Sequence, residues 1–333
     1  MNNFKFINTA KAILILLVVT WHFHYTSTQL PFKNIIYTFH VPAFLIITGF
    51  LVQPKIEKYT YPYLFKVTIL PLLKGYGLFS AISIATLLLV TITQDSTSIA
   101  NVLKEAFHTT IYGVGAGDNS FSHRNLPLWY FTFLVSSLVA AFLLRKLKFT
   151  YQLILLLSLQ VIISQEVAQK APWNIDIMAI GAIYIATGVA ARNYLALRPT
   201  LLPITYPKAT ILALSSIVIF SIIAANSGNI NYNGGKLGNS IITTYLGAVS
   251  GTASILFLSL LIPERKLLDE IGSNTLIIFC LHFPIILVTS KVTNKVGYDI
   301  GIVEAIAISL LICIILSKLS LFLDRPLKKI IGK

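Results

Sequence analysis

Apolar runs long enough to cross a bilayer recur along this chain, and short connections between them carry most of its lysine and arginine. A helix needs about 20 residues to span the hydrocarbon layer. Backbone polar groups find no water there, so each such run must satisfy its own hydrogen bonds as a helix. Composition agrees: 56% of the residues are hydrophobic and only 11% are charged, against roughly 25% charged in a soluble domain. The pattern predicts an all-α, polytopic integral membrane bundle forming one domain over residues 1–333. Ten spans are expected, at roughly 8–26, 34–53, 67–93, 127–145, 151–165, 174–192, 208–226, 240–262, 273–291 and 302–323. Pro71, Gly75 and Gly77 mark the third span as kinked or broken.

The net charge of +14 does not point to nucleic acid, because the cations cluster in the short connections, as cytoplasmic loops require. The N-terminus, the even-numbered loops and the C-terminus hold more than twice the Lys and Arg of the opposite side. Both termini are therefore expected in the cytoplasm, and the long 94–126 segment is expected outside as a loop. Cys280 and Cys313 fall inside apolar runs and read as packing residues, not as a disulfide or metal pair. The first apolar run resembles a signal peptide in its basic start, but no small-residue cleavage pattern follows Tyr25, so an uncleaved first helix is expected.

Within the greasy runs stand three histidines: His22, His40 and His282. An ionisable group at membrane depth needs a polar partner or a function. Under the expected orientation, His22, His24, His40 and Asp176 gather toward the outer half. Lys11 lies eleven positions before His22; at 100° and 1.5 Å per residue both face the same side of one helix, about 16 Å apart. A cation near the inner end and a base near the outer end suit a site that holds an anionic donor and activates an acceptor. A snorkelling lysine and an interfacial histidine fit the same spacing. His40 and His282 equally fit packed polar residues bonded across helices, and Pro284 would free carbonyls that the His282 ring could satisfy. Trp129, Tyr130 and Phe131 read as an interfacial aromatic belt or as a stacking platform for a ligand. His123 and Arg124 suit sugar hydroxyls or phosphate, or a solvated loop. Gly113, Gly115 and Gly117 give loop flexibility more readily than a phosphate cradle.

Five stretches, in order along the chain, resemble the acyltransferase-3 family of membrane acyltransferases, and most of all its fucose 4-O-acetylase-like branch. They are FINTAKAILILLVVTWHFH at 6–24, FHVPAFLIITGF at 39–50, PLWYFTFL at 127–134, APWNIDIMAIGAIYIATG at 171–188 and IGSNTLIIFCLHFPII at 271–286. The resemblance implies about ten membrane helices in a bacterial cytoplasmic membrane. It also implies transfer of an acyl group, usually acetyl from acetyl-CoA, to hydroxyls of surface glycans. It carries the catalytic histidine to His22, its basic partner to Lys11, and the second- and ninth-helix histidines to His40 and His282. The chain departs from the branch at Asn8, where the branch has Asp, and at Ala12, Trp21 and Thr48. The usual Arg-rich stretch before the third-helix proline is reduced to Lys66, with Lys74 beyond Pro71.

These residues predict a membrane O-acyltransferase, expected to be an O-acetyltransferase of a cell-surface polysaccharide or lipid-linked glycan precursor. His22 is the expected base, since imidazole titrates near operating pH. Lys11, Lys66 and Lys74 are expected to hold the donor. His40 or Asn174 would polarise the acyl carbonyl, and Asp176 would orient an imidazole. Asp176, Asn174, Trp129, Arg124, His123 and His282 are the expected substrate contacts. Acetyl-CoA enters as a substrate, with no bound cofactor or metal expected; the partners are the glycan acceptor and the bilayer. A transporter or flippase of a lipid-linked sugar is the competing reading and would predict paired half-repeats, which the chain does not display. A family member without catalysis is the third.

Overall fold

A computed structural model describes residues 4–23, 33–92, 99–113, 126–166, 171–198 and 204–331. Thirteen α-helices follow one another among these residues. They are α1 (Phe6–His22), α2 (Lys33–Lys58), α3 (Tyr61–Leu64), α4 (Leu70–Ile92), α5 (Ile99–Tyr112), α6 (Trp129–Leu144) and α7 (Phe149–Glu166). Then come α8 (Met178–Leu197), α9 (Tyr206–Asn226), α10 (Ile241–Leu261), α11 (Lys266–Ser273), α12 (Thr275–Lys295) and α13 (Ile302–Ile331). Two two-residue strands, Ile230–Asn231 and Lys236–Leu237, lie between α9 and α10. The expectation of an all-helical membrane protein holds.

Six of these stretches are long and apolar enough to cross a membrane, or seven if α11 and α12, bent by 80° at their junction, form one broken span. Three shorter apolar helices, Phe6–His22, Trp129–Leu144 and Phe149–Ser164, correspond to the first, fourth and fifth expected spans. Among the described residues, six or seven spans of full length are thus found where ten were expected, and three of the expected runs are helices of reduced length. Two boundaries are corrected. The third span begins at Tyr61, not near 67, because a π-helical turn at Phe65–Ile69 joins α3 to α4. Pro71 lacks the N–H that an α-helix would send back four residues, and a wide turn just before it absorbs that break. Residues 94–126 are also not simply a loop, since they contain the 14-residue α5. Of the residues placed in that segment, His123 and Arg124 lie outside the described ones, as does His24 at the end of the first run.

The chain divides into two compact units. The first comprises Met1–Gln53, Tyr184–Asn231 and Leu237–Asp324. Its centre is α1, which is buried on several sides. Ile15, Val19 and Phe23 pack with Ile278 and Ile286 of α12 and Ile312 and Leu316 of α13. Ile7, Ala10 and Leu14 pack with Phe39 and Ile47 of α2, Phe220 of α9 and Ile255 of α10. A helix that is apolar nearly all round has to be surrounded in this way. On α9, by contrast, Ile211, Leu214, Val218 and Ile222 are all exposed. Their three- and four-residue spacing gathers them on one face, the arrangement expected of a helix with lipid as its solvent.

Within this unit α2 and α8 approach to backbone contact at two glycines. A Cβ at Gly49 would meet the Ile185 carbonyl, and a Cβ at Gly188 would meet the Ile46 carbonyl. The exchange is reciprocal: each glycine receives the other helix's main chain. Small residues of this kind let membrane helices pack without a hydrophobic driving force between them.

The second unit comprises Pro54–Ile183, Tyr232–Lys236 and Arg325–Lys333. Its polar pivot is the 3₁₀ turn Pro172–Ile177. Trp173 and Asn174 have φ of 57° and 55°, the left-handed region that few residues other than glycine and asparagine enter readily. The turn is held by Asn174, whose amide donates to the Gly113 carbonyl at 3.0 Å, the Trp129 carbonyl at 3.2 Å and the Thr132 hydroxyl at 2.8 Å. Gln160 of α7 clamps the other side. Its amide donates to the Asp176 carbonyl at 2.8 Å, and its carbonyl accepts the Ile180 N–H at 3.0 Å.

Candidate active site

The expected site residues divide between the two units. Lys11, His22, His40 and His282 belong to the first; Lys66, Lys74, Trp129, Asn174 and Asp176 belong to the second. Among the first group, the structure brings His22 and His282 together. They stand 260 residues apart in sequence, and His282 Nε2 lies 3.3 Å from His22 Nδ1. Phe283 meets the His22 ring edge-on at 5.8 Å. His22 is half-buried, whereas His282 has no exposed surface.

One local rule orients all three intramembrane histidines. His22 Nδ1 lies 2.7 Å from the Val18 carbonyl, His40 Nδ1 2.8 Å from the Ile36 carbonyl, and His282 Nδ1 3.0 Å from the Ile278 carbonyl. Each contact runs four residues back along the histidine's own helix. A carbonyl oxygen can only accept, so each Nδ1 carries the proton and each neutral ring keeps its lone pair on Nε2. The His22–His282 contact then reads in one sense: His22 Nδ1–H is shared between the Val18 carbonyl and His282 Nε2. Two acceptors face the same N–H, and His22 Nε2 is the basic nitrogen. For His282 the carbonyl reached is that of Ile278. This is the same four-residue step that His22 and His40 make without a proline after them, so the contact does not need Pro284 to explain it.

The same rule constrains His40. Its ring is buried and lies edge-on to Tyr37 at 5.0 Å. With Nδ1–H given to Ile36, the neutral ring presents an acceptor at Nε2, whereas polarising a carbonyl needs an N–H donor.

At the other end of α1 stands Lys11. Its ammonium faces Asn8 Oδ1 at 3.4 Å. The Asn8 amide in turn donates to Asp269 Oδ1 at 2.8 Å and to the Ser273 hydroxyl at 3.2 Å, both on α11. A Cβ at Gly272 would collide with the Asn8 carbonyl, so α11 and α1 touch through their backbones at this point. Ion pairs flank the contact: Lys5 with Glu264 at 2.8 Å, and Lys318 with Glu270. The Glu264 carboxylate raises the Lys5 ammonium above its ordinary pKa. Both partners of that pair are more than half exposed, so it adds little to stability. Sequence reasoning noted Asn8 only as a departure from the branch pattern and did not single out Asp269 or Ser273. The available signal was the polar stretch before the I-G pair at 271–272, which reads as a connection unless it is known to fold back onto α1.

The second-unit residues take other places. Trp129 is 9% exposed and stacks on Phe133 at 5.6 Å; it is a core residue, not part of an interfacial belt. The Asn174 amide spends its N–H groups on Gly113, Trp129 and Thr132, leaving none directed to an acyl carbonyl. Asp176 accepts the Ala171 N–H at 3.3 Å, and its second oxygen lies against Gly235. Lys66, in the π turn, and Lys74, on α4, are exposed.

A family model described as an acyltransferase domain matches residues 4–318. The match is to the family and does not single out the fucose 4-O-acetylase-like branch. Comparison with curated proteins and with solved structures finds no match. Covering nearly the whole chain, the family match places this protein in the acyltransferase-3 family as a membrane acyltransferase.

Proposed function

We propose that the protein is an O-acyltransferase that moves an acetyl group from acetyl-CoA to a sugar hydroxyl of a cell-surface polysaccharide or its lipid-linked precursor. The observation that carries this reading is the placement of His22 Nδ1, 2.7 Å from the Val18 carbonyl and 3.3 Å from His282 Nε2. Its Nδ1–H is held by Val18 and His282, so Nε2 is the nitrogen that can accept a proton. His22 Nε2 takes the acceptor hydroxyl's proton as the oxygen attacks the thioester carbonyl carbon. The C–O bond forms, the C–S bond breaks, and the imidazolium returns the proton to the departing thiolate. While the ring is cationic, its Nδ1–H points at two acceptors, which strengthens both bonds at the moment charge develops. Lys11 lies about 16 Å away along the same helix, roughly one leaflet. It supplies a cation for the anionic part of the donor, on the side that the basic loops assign to the cytoplasm.

The test is the acetyl content of the host's surface glycan by NMR, with the chain carrying His22→Ala at normal membrane abundance. Loss of the acetyl signals is expected. Acetylation unchanged from wild type would remove His22 from the chemistry and the reading with it.

A further inference from the structure

We infer that Asp269 is a positioning residue for Lys11, acting through Asn8. The inference rests on the reading of Lys11 as the donor-side cation.

A lysine in the apolar first helix needs compensating charge or hydrogen bonds. Its own helix offers an amide three residues back, Asn8, whose Oδ1 faces the ammonium at 3.4 Å. An amide is ambiguous: either end can point at the lysine. Here both neighbours decide. The ammonium can only donate and the Asp269 carboxylate can only accept, so Oδ1 must face Lys11 and Nδ2 must face Asp269. The 2.8 Å bond to Asp269 and the 3.2 Å bond to the Ser273 hydroxyl lock that orientation. Both ends of the amide therefore make charge-assisted bonds, and the carboxylate's polarity reaches the lysine through one rigid side chain.

The helix that carries Asp269 is placed to do this. Gly272 lets α11 approach the Asn8 backbone more closely than any side chain would permit. The Lys5–Glu264 pair, just before the helix, and the Lys318–Glu270 pair, within it, lie on either side of Asp269 in sequence. Each is a contact between segments distant in sequence. With Glu264 and Glu270 paired to those lysines and Gly272 set against the Asn8 backbone, Asp269 is the carboxylate that meets Asn8.

The relay predicts a reversal of sign. Asp269→Asn alone removes the charge that sets the amide. Asn8→Asp alone puts two carboxylates within contact, where both cannot stay ionised. Together the two substitutions leave one carboxylate, now directly beside Lys11. Two readouts on the purified full chain in detergent test this: melting temperature, and the Kd for coenzyme A. Asp269→Asn should weaken coenzyme A binding about tenfold, the order expected for one charge-assisted bond. In the Asn8→Asp background the same change should instead strengthen binding and raise the melting temperature. Effects that merely add in both readouts overturn the relay. A reversal in melting alone, with coenzyme A affinity equal in all four proteins, reduces Asp269 to a structural clamp and overturns its positioning role. If wild type does not bind coenzyme A, the donor assignment under the proposed function fails, and the melting cycle alone decides whether the relay exists.

Discussion

Replacing His282 should slow acyl transfer without abolishing it, and the size of the loss follows from the geometry. His282 Nε2 lies 3.3 Å from His22 Nδ1, so its lone pair faces the His22 N–H. In the ground state this is a long bond between neutral groups. Under the proposed function His22 becomes an imidazolium in the transition state, and a hydrogen bond to a charged group contributes about 1.5–3 kcal/mol. At 1.36 kcal/mol per decade, losing it lowers kcat by about 10- to 100-fold. The Val18 carbonyl at 2.7 Å stays in place, so the lower part of that range is expected. Removing the base itself should cost more, about 10²- to 10⁴-fold. The useful pair of variants is His282→Phe, which keeps volume in a fully buried position but offers no acceptor, and His282→Gln, which restores an acceptor oxygen. Initial rates of acetyl transfer from labelled acetyl-CoA at saturating donor, with melting as a control for folding, rank the set. The expected order of kcat is wild type, then Gln, then Phe, with His22→Ala lowest. A His282→Phe enzyme at the wild-type rate would refute the argument. So would a loss at His282 deeper than that at His22, which would make His282 the base.

Two further predictions concern the scaffold. Gly188→Ala should destabilise the protein by about 1–3 kcal/mol, because its Cβ meets the Ile46 carbonyl and overpacking forces the helices apart; Gly77→Ala, which meets nothing within 4 Å, should leave melting unchanged or higher, and equal losses at both sites would contradict the close-crossing account. Asn174→Ala should cost about 2–4 kcal/mol by adding left-handed strain to the loss of buried hydrogen bonds, whereas Asn174→Gly should cost less because it is relieved of the strain; chemical denaturation of the two variants gives the comparison, and an Ala variant as stable as Gly would remove the strain from the explanation.

Much of this was legible in the sequence because it depends on local periodicity and solvent class. Apolar runs in hydrocarbon have to be helices, and the runs at 34–53, 208–226 and 240–262 became α2, α9 and α10 with boundary shifts of a few residues. Pro71 with Gly75 and Gly77 marked an irregular third span, and the π turn lies just before that proline. The eleven-residue interval placed Lys11 and His22 on one line of α1. What misled the reading was context. Trp129, two residues after a proline at a span start, resembles an interfacial ring, yet Phe133, one turn later, takes it into the core. Residues 94–126 lack a long apolar run, so the helix inside them carried no membrane signal.

The sequence by itself therefore determined the solvent, the helical state of the apolar runs and the azimuth of each polar group on its own helix, since these follow from a 3.6-residue period and the hydrogen-bonding demands of hydrocarbon. Only the tertiary structure decided which polar groups meet. That His22 meets a histidine 260 positions later, and that Asn8 meets Asp269, depends on backbone approach at Gly272 and on the packing of α1 among α10, α11 and α12. Such contacts join segments whose separation along the chain bears no relation to their distance in space, and no periodicity encodes them.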